Sequence, residues 1–149
     1  MKIVKKFITR FLHLLARHLF PNSVRVFIHR LRGAKIGKNV YIGLDVHLDD
    51  DNTELIIIED GVYIAPECMI LTHKRDMTSY KKGMWVGECK FKKGMVKICK
   101  GAHIGSRALI FPGVTIHEGA VIGAYSLVTK DIPAYTLAIG IPAKVVKAY

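Results

Sequence analysis

The sequence predicts an all-β fold, a parallel β-helix that follows a short helical segment at the N-terminus. Two observations predict the β-helix: an aliphatic residue recurs at every sixth position, and a small or β-branched residue usually stands four positions after it. A third predicts the helical segment, because apolar residues before position 33 recur at helical rather than six-residue spacing. A chain of 149 residues is long enough for one domain with its own core.

The six-residue repeat is carried by twelve aliphatic residues in three in-register runs. They are Ile36, Ile42, Leu48, Ile58, Ile64, Ile70, Ile98, Ile104, Ile110, Ile116, Ile122 and Val128. One hexad can form a short strand and a turn, but it cannot bury its aliphatic side chain alone. Stacked coils line these side chains into one interior column, which is the physical basis of hexapeptide β-helices.

Residues 1–33 are predicted to form a basic amphipathic helical segment. The apolar positions are Val4, Phe7, Ile8, Phe11, Leu14, Leu15 and Leu19, and the basic ones among them include Lys5, Lys6, Arg10 and Arg17. The interspersed charges argue against a signal peptide and against a membrane-spanning helix. Two hypotheses stay open. The segment caps the open end of the β-helix core, or residues 1–32 make a peripheral contact with an anionic membrane.

The net charge of +11 is unevenly distributed along the chain. Residues 1–44 contain ten Lys/Arg and no acid, whereas residues 45–67 contain eight acids and no Lys/Arg. Basic blocks attract anionic partners, but these form no motif that reads nucleic acid, so we expect no nucleic-acid partner. Three cysteines without CxxC spacing argue against a disulfide framework or a zinc site. They favour a cytoplasmic location, with any peripheral contact at the inner face of the membrane.

Two interruptions break the repeat. The smaller is the predicted insertion "ELII", residues 54–57, and the larger begins after His73 and covers residues 74–95. The larger segment is rich in lysine and contains three aromatic residues. A loop of this length inside a compact domain is usually functional.

The hexads, a histidine directly after "ILT" and the closing segment "IGAYSLVTKDIPAYTLAIGIPAKVV" resemble hexapeptide-repeat acyltransferases, in particular the maltose/galactoside and polysaccharide O-acetyltransferase branch. The resemblance covers residues 36–146. It implies a left-handed parallel β-helix of about four coils within residues 34–149, closed by residues 129–149. It also implies a homotrimer, acetyl-CoA as co-substrate, and a sugar or polysaccharide precursor as acceptor.

The resemblance implies that His73 is the general base. An acceptor hydroxyl would attack the thioester of acetyl-CoA directly, and imidazole titrates close enough to neutral pH to accept the hydroxyl proton. The alternative interpretation of His73 is a solvated loop histidine. For the other six histidines we expect structural or solvated roles, with His103 as the reserve candidate. No histidine pair has the spacing of the zinc ligands in the related γ-class carbonic anhydrases, so no metal is expected.

The resemblance further implies six CoA-binding residues, and the alternative for them is a packing or solvated role. They are Ser106, Ala124, Thr129, Lys130, Lys144 and Lys147. The last two stand where relatives often have arginines that face the CoA phosphates. Lysine keeps the charge there but lacks the bidentate geometry of arginine.

Acceptor contacts are expected from the acidic run "LDVHLDDDNTE", in which we single out Asp49, and from Trp85 by ring stacking. A carboxylate of the same run is also suited to orienting a catalytic imidazole. The sequence leaves open which acid does so, and a solvated turn is the alternative. Two other functions stay open: N-acetyl transfer to an amino sugar, and a noncatalytic β-helix scaffold at the membrane surface.

Overall fold

The computed structural model describes residues 2–149, and it describes side chains from residue 7 onward. The side chains of Val4, Lys5 and Lys6, part of the predicted amphipathic pattern, therefore lie outside the described residues. Two helices come first, α1 (Lys2–His18) and α2 (Asn22–Leu31).

Short strands make up most of the remaining chain. They are β1 (Lys35–Ile36), β2 (Tyr41–Ile42), β3 (His47–Leu48), β4 (Ile56–Ile58), β5 (Tyr63–Ile64), β6 (Met69–Ile70), β7 (His73–Arg75), β8 (Phe91–Lys93), β9 (Val96–Ile98), β10 (His103–Ile104), β11 (Leu109–Ile110), β12 (Thr115–Ile116), β13 (Val121–Ile122), β14 (Leu127–Val128), β15 (Thr136–Gly140) and β16 (Ala143–Ala148). Single 3₁₀ turns occur at Thr53–Leu55, Met77–Ser79 and Val86–Glu88.

The strands form three parallel sheets that the chain visits in turn. One sheet has the order β1-β4-β9-β12, the second β2-β5-β10-β13-β15, and the third β3-β6-β11-β14, while β16 pairs antiparallel with β15 at the end of the second. From β1 to β6 and from β9 to β14, consecutive strands therefore lie in different sheets, and each strand pairs with its equivalent in the next coil. The predicted parallel β-helix is confirmed.

The six-residue repeat forms the core. Eleven of its twelve aliphatic side chains are at most 1% exposed, and Ile36 at the open end is partly buried. The residue four positions later is also buried, as at Val46, Ala102 and Ser126. Burying one such aliphatic side chain stabilises the fold by about 1.5–3 kcal/mol, so the column of side chains provides most of the driving force.

Each regular hexad turns through a residue with positive φ, three positions after the aliphatic. Nine hexads have one, at Asn39, Asp45, Gly61, Glu67, Gly101, Arg107, Gly113, Gly119 and Tyr125. Within the described residues, the exceptions are Asp51, His73 and Asp131, which all follow strands of the third sheet. The chain departs from the regular coil at this one corner.

Both interruptions of the repeat leave the β-helix at that corner. The first interruption contains the 3₁₀ turn at Thr53–Leu55 and ends with it. Ile56, the first residue of β4, is already fully buried and pairs with Val96 in β9. The predicted insertion "ELII", residues 54–57, was therefore wrong for Ile56 and Ile57, which belong to β4. The second interruption begins as an antiparallel hairpin of β7 and β8, in which His73 pairs with Lys93.

Helix α2 covers the open end of the β-helix. Val26 joins the core, the Arg25 Nε–H donates to the Ile42 carbonyl (2.9 Å), and Asn22 donates to the Val40 carbonyl (3.0 Å). These contacts satisfy backbone groups that have no further strand to pair with. The cap hypothesis accounts for α2.

Helix α1 packs through its polar side. His13 and Ala16 face the β-helix and are buried, whereas Phe7, Phe11 and Leu14 are 71%, 54% and 58% exposed. The acidic run that follows β2 provides the reason: Asp45 pairs with Arg17, Asp50 with His13, and Asp51 with Arg10. The cap hypothesis therefore fails for α1, whose apolar face points outward. No helix in residues 2–149 is long and apolar enough to cross a membrane.

Candidate active site

His73 lies at the corner where the hairpin leaves the coil, as the first residue of β7. Its Nδ1 is 2.7 Å from the Asp49 Oδ2, and its side chain is 28% exposed. The ring of Phe91 on β8 contacts it edge-on, with the centroids 5.0 Å apart. The imidazole is thus held on one side by a carboxylate and on another by an aromatic ring, with its remaining edge open.

Asp49 lies directly after β3, one coil before His73, because Leu48 pairs with Ile70. Its side chain is fully buried. Oδ2 accepts the Thr72 backbone N–H (2.8 Å), and Oδ1 accepts the Asp51 backbone N–H (3.1 Å). Burial alone raises the pKa of Asp49, but hydrogen bonds from Thr72, Asp51 and His73 outweigh it and hold that pKa below its ordinary value.

The ionised state of Asp49 fixes the tautomer of His73. A carboxylate has only acceptor oxygens, so the His73 Nδ1 in contact with it carries the proton. In the neutral ring the proton-free nitrogen is then Nε2. A nitrogen with a free lone pair at the open edge of a half-buried ring is the arrangement required of a general base.

The expectation that Asp49 contacts the acceptor was wrong. Its side chain is inaccessible, and both oxygens already accept hydrogen bonds from the protein. Of the two roles considered for the acidic run, orienting the imidazole is the one that this geometry allows. The sequence left open which acid would do so.

Arg32 stabilises the same corner through hydrogen bonds to backbone carbonyls. Its guanidinium is buried and donates to the carbonyls of Leu48 (3.0 Å) and Asp49 (2.8 Å). The Thr53 hydroxyl also donates to the Asp49 carbonyl (3.2 Å). Sequence reasoning missed Arg32, because it is one of ten basic residues in the N-terminal block and lies 17 residues before Asp49.

A cavity of about 590 Å³ opens beside His73. It is lined by Thr9, Arg32, Gly33, Asp50, Asp51, Asn52, Thr53, Glu54, His73, Phe91 and Lys93. Its volume is in the range of small-molecule sites. Carboxylates, amide and hydroxyl groups beside an aromatic ring suit a ligand with many hydroxyl groups.

The six predicted CoA-binding residues lie elsewhere on the surface, and none of them lines this cavity. Ser106 and Ala124 occupy equivalent corner positions on adjacent coils, after β10 and β13, which pair in register. Thr129 and Lys130 are exposed after β14, on the corner that also carries His73. The two C-terminal lysines, at positions 144 and 147, are exposed on β16.

Two further candidates lie away from the cavity. Trp85 is 74% exposed and lies within the segment between β7 and β8. Its contact with an acceptor stays a prediction. His103, the reserve base, stacks on the Tyr63 ring with centroids 4.9 Å apart, on the outer face of the second sheet. It does not line the cavity beside His73.

Comparison of sequences identifies relatives of the β-helical part. A putative acetyltransferase of Staphylococcus aureus (strain MRSA252) is 40% identical over 113 residues, which cover 76% of this chain and 54% of that protein. Galactoside O-acetyltransferase of Escherichia coli (strain K12) is 36% identical over 114 residues, covering 75% and 52%. The chain thus spans about half the length of the curated relatives that it matches. No family model matches the sequence.

Solved structures give the same result for the fold. A maltose O-acetyltransferase from Clostridium difficile 630 superposes with a TM-score of 0.75 at 26% identity, covering 98% of this chain and 87% of that one. A hexapeptide-repeat acetyltransferase from Vibrio cholerae O1 biovar eltor, complexed with acetyl coenzyme A, superposes at 0.73 with 19% identity and the same coverage. The predicted resemblance is confirmed: over about half of their length this chain is similar in sequence to galactoside O-acetyltransferase and to putative acetyltransferases, and it shares the fold of a maltose O-acetyltransferase and of a hexapeptide-repeat acetyltransferase.

Proposed function

We propose that this protein is an acetyl-CoA-dependent O-acetyltransferase that acts on a hydroxyl group of a sugar or polysaccharide precursor. The observation that carries the proposal is the buried Asp49 carboxylate, 2.7 Å from the imidazole of His73 at the rim of a cavity. The relatives add the substrate classes, since their names specify galactoside and maltose O-acetylation and one structure contains acetyl coenzyme A.

His73 would act through its Nε2. This nitrogen takes the proton of the acceptor hydroxyl while the hydroxyl oxygen bonds to the carbonyl carbon of the thioester. The carbon–sulfur bond then breaks, and His73 returns the proton to the sulfur of the departing CoA. Asp49 stabilises the imidazolium between the two steps, and a base positioned in this way contributes roughly 10²- to 10⁴-fold to the rate. No metal takes part in this scheme.

The proposal includes the handedness of the β-helix, its number of coils and the oligomeric state. We take the β-helix to be left-handed, with about four coils in residues 34–149. The helical segment in residues 1–33 precedes it, and α2 of that segment packs on its core. We take the assembly to be a homotrimer with its sites between neighbouring β-helices. This arrangement is supported by the separation, within one chain, of the cavity beside His73 from the six predicted CoA-binding residues. A neighbouring subunit would supply the remaining wall of the site for acetyl transfer.

The CoA-binding roles are supported by position. Small side chains at Ser106 and Ala124 leave room at two stacked corners, and Thr129 and Lys130 extend from the corner that carries His73. Lys144 and Lys147 are both exposed and carry charges that suit phosphates, and the Lys147 amino group lies 4.7 Å from the centroid of the Tyr149 ring. Transfer to the amine of an amino sugar remains the closest alternative reaction, because it uses the same base.

One observation favours a location at the membrane surface. The exposed face of α1 carries Phe7, Ile8, Phe11 and Leu14, all more than half exposed. Residues 1–33 contain eight Lys/Arg and no acid, so the helical segment keeps a positive charge even though Arg10 and Arg17 are paired with Asp51 and Asp45. An apolar face flanked by basic residues binds anionic lipid at the interface, which would place the enzyme beside lipid-linked glycan precursors.

Replacing His73 with Ala should lower acetyl transfer by roughly 10²- to 10⁴-fold, because the hydroxyl then loses its base. Release of free thiol from acetyl-CoA, with mono-, oligo- and nucleotide-sugar acceptors, measures the rate. Light scattering should give the same trimer mass for the variant and the wild type. Near-normal turnover in a folded variant would remove His73 from the mechanism, and no turnover of the wild type with any acceptor would favour the scaffold.

Replacing Asp49 with Asn should lower kcat while leaving KM for acetyl-CoA nearly unchanged. The amide cannot accept all three of the hydrogen bonds that the carboxylate accepts, and it no longer stabilises the imidazolium. We expect kcat to fall by roughly 10²-fold or more, as for other carboxylates that orient a catalytic histidine. The matched control is Asp76→Asn, a partly exposed carboxylate in the hairpin of β7 and β8. Equal kcat in the Asp49→Asn variant and the wild type would show that Asp49 is only structural.

The triple variant Phe7→Ser, Phe11→Ser, Leu14→Ser should remain in the supernatant after sedimentation with vesicles of phosphatidylcholine and phosphatidylglycerol. The wild type should sediment with them, and more weakly at high salt, because lipid charge contributes to binding. Ile141→Ser, which removes an equally exposed aliphatic far along the chain, serves as the control. Equal recovery of the wild type and the triple variant in the supernatant would exclude the membrane contact.

A further inference from the structure

Three side chains meet where α1 packs on the first coil of the β-helix. They are His13 from α1, His47 from β3 and Asp50 from the segment after β3. One candidate ligand atom from each lies within 4.8 Å of the others. The rings of His13 and His47 are in edge-on contact, with centroids 4.5 Å apart. The proposed acetyl transfer uses none of these three groups.

The His13 side chain has a buried nitrogen without a partner. The residue is 4% exposed, its Nδ1 contacts the Asp50 carboxylate, and its Nε2 has no hydrogen-bond partner. Since the carboxylate is an acceptor, Nδ1 carries the proton and Nε2 keeps a lone pair. A buried polar atom left unsatisfied costs about 1–3 kcal/mol, so Nε2 calls for a partner on the edge of the ring away from Asp50.

Two positive charges lie near the cluster, and one of them, Arg17, is paired with Asp45. The other, Arg32, has its guanidinium 4.0 Å from the Asp50 Oδ1. It is committed to the carbonyls of Leu48 and Asp49, and the carboxylates of Asp49 and Asp50 together outweigh its single charge. The local balance of formal charge is negative before any cation binds.

We propose that His13, His47 and Asp50 bind one divalent transition-metal cation, with Zn²⁺ the best match. Two imidazoles and a carboxylate are common zinc ligands, and a water completes four-coordination. Tetrahedral bonds of about 2.0–2.2 Å place donor atoms roughly 3.3–3.5 Å apart. The cation would therefore lie between His13 and Asp50 and replace the proton on the His13 Nδ1, which then resides on Nε2. The cation would fasten α1 to the first coil and hold Asp50 in the wall of the cavity beside His73.

A buried water is the competing explanation for the unpartnered nitrogen of His13. His29 is fully buried, its Nδ1 accepts from the Arg32 guanidinium (3.0 Å), and its Nε2 therefore carries a proton without a partner. The His13 and His29 ring centroids are 6.4 Å apart. One water between them would donate to His13 and accept from His29 without any metal.

The test uses the full chain, purified without a polyhistidine tag and stripped with a chelator. Titration with Zn²⁺, followed by calorimetry and metal analysis after gel filtration, should show one cation retained per chain. Co²⁺ in its place should give the visible absorption of a four-coordinate site. Hydrogen exchange in α1 should slow when the cation binds, and this readout does not depend on activity.

Variants decide where the cation binds. His13→Ala, His47→Ala and the nearly isosteric Asp50→Asn should each weaken Zn²⁺ binding by at least about tenfold, because each removes one ligand bond. His18→Ala, at an exposed histidine of the same helix, should bind as the wild type does. Circular dichroism establishes whether each variant is folded. If an alanine variant is unfolded, the nearly isosteric Asp50→Asn variant still tests where the cation binds. No stoichiometric binding, or binding unchanged in Asp50→Asn and in the folded alanine variants, would overturn the proposal and leave a buried water.

Discussion

The pairing of Leu48 with Ile70 between adjacent coils sets the position of every group at the candidate active site. It places Asp49 directly beside Thr72 and His73, although they are more than twenty residues apart in sequence. The carboxylate is buried at no large cost because backbone N–H groups and the imidazole satisfy its oxygens. A shift of one residue in this register would turn Leu48 outward and Asp49 into the core, so the hydrophobic column and the site are specified together.

The column explains which parts of the molecule the sequence predicts well. The period of six in aliphatic residues is a property of neighbouring positions, so it predicts the parallel coils, the buried residues and the break after His73. The end of the first interruption was misplaced because Ile56 and Ile57 belong to no hexad, although Ile56 packs in the core. Nothing local in the sequence distinguishes a residue that fills the core outside the repeat from one in an insertion.

The site is predicted less completely, because its members come from distant segments. His73 was identified by its match to a family motif, but the roles of Asp49 and Arg32 depend on which coil corner lies beside the histidine. Asp49 was expected to meet the acceptor because carboxylates accept hydrogen bonds from sugar hydroxyls. Only the register of the coils shows that its oxygens point inward. In α1, the helical pattern was correct, but the acidic run draws its polar side inward and leaves the apolar face outward.

The central claim is that Asp49 holds His73 with its proton on Nδ1 and its lone pair on Nε2. Nitrogen-15 NMR of the histidine side chains tests this most directly, with the His73 signals assigned by their loss in His73→Gln. For the neutral ring, the account predicts a protonated Nδ1 and an unprotonated Nε2, with a hydrogen-bonded Nδ1–H. A ring protonated at Nε2, or one that exchanges freely between the two tautomers, would contradict it.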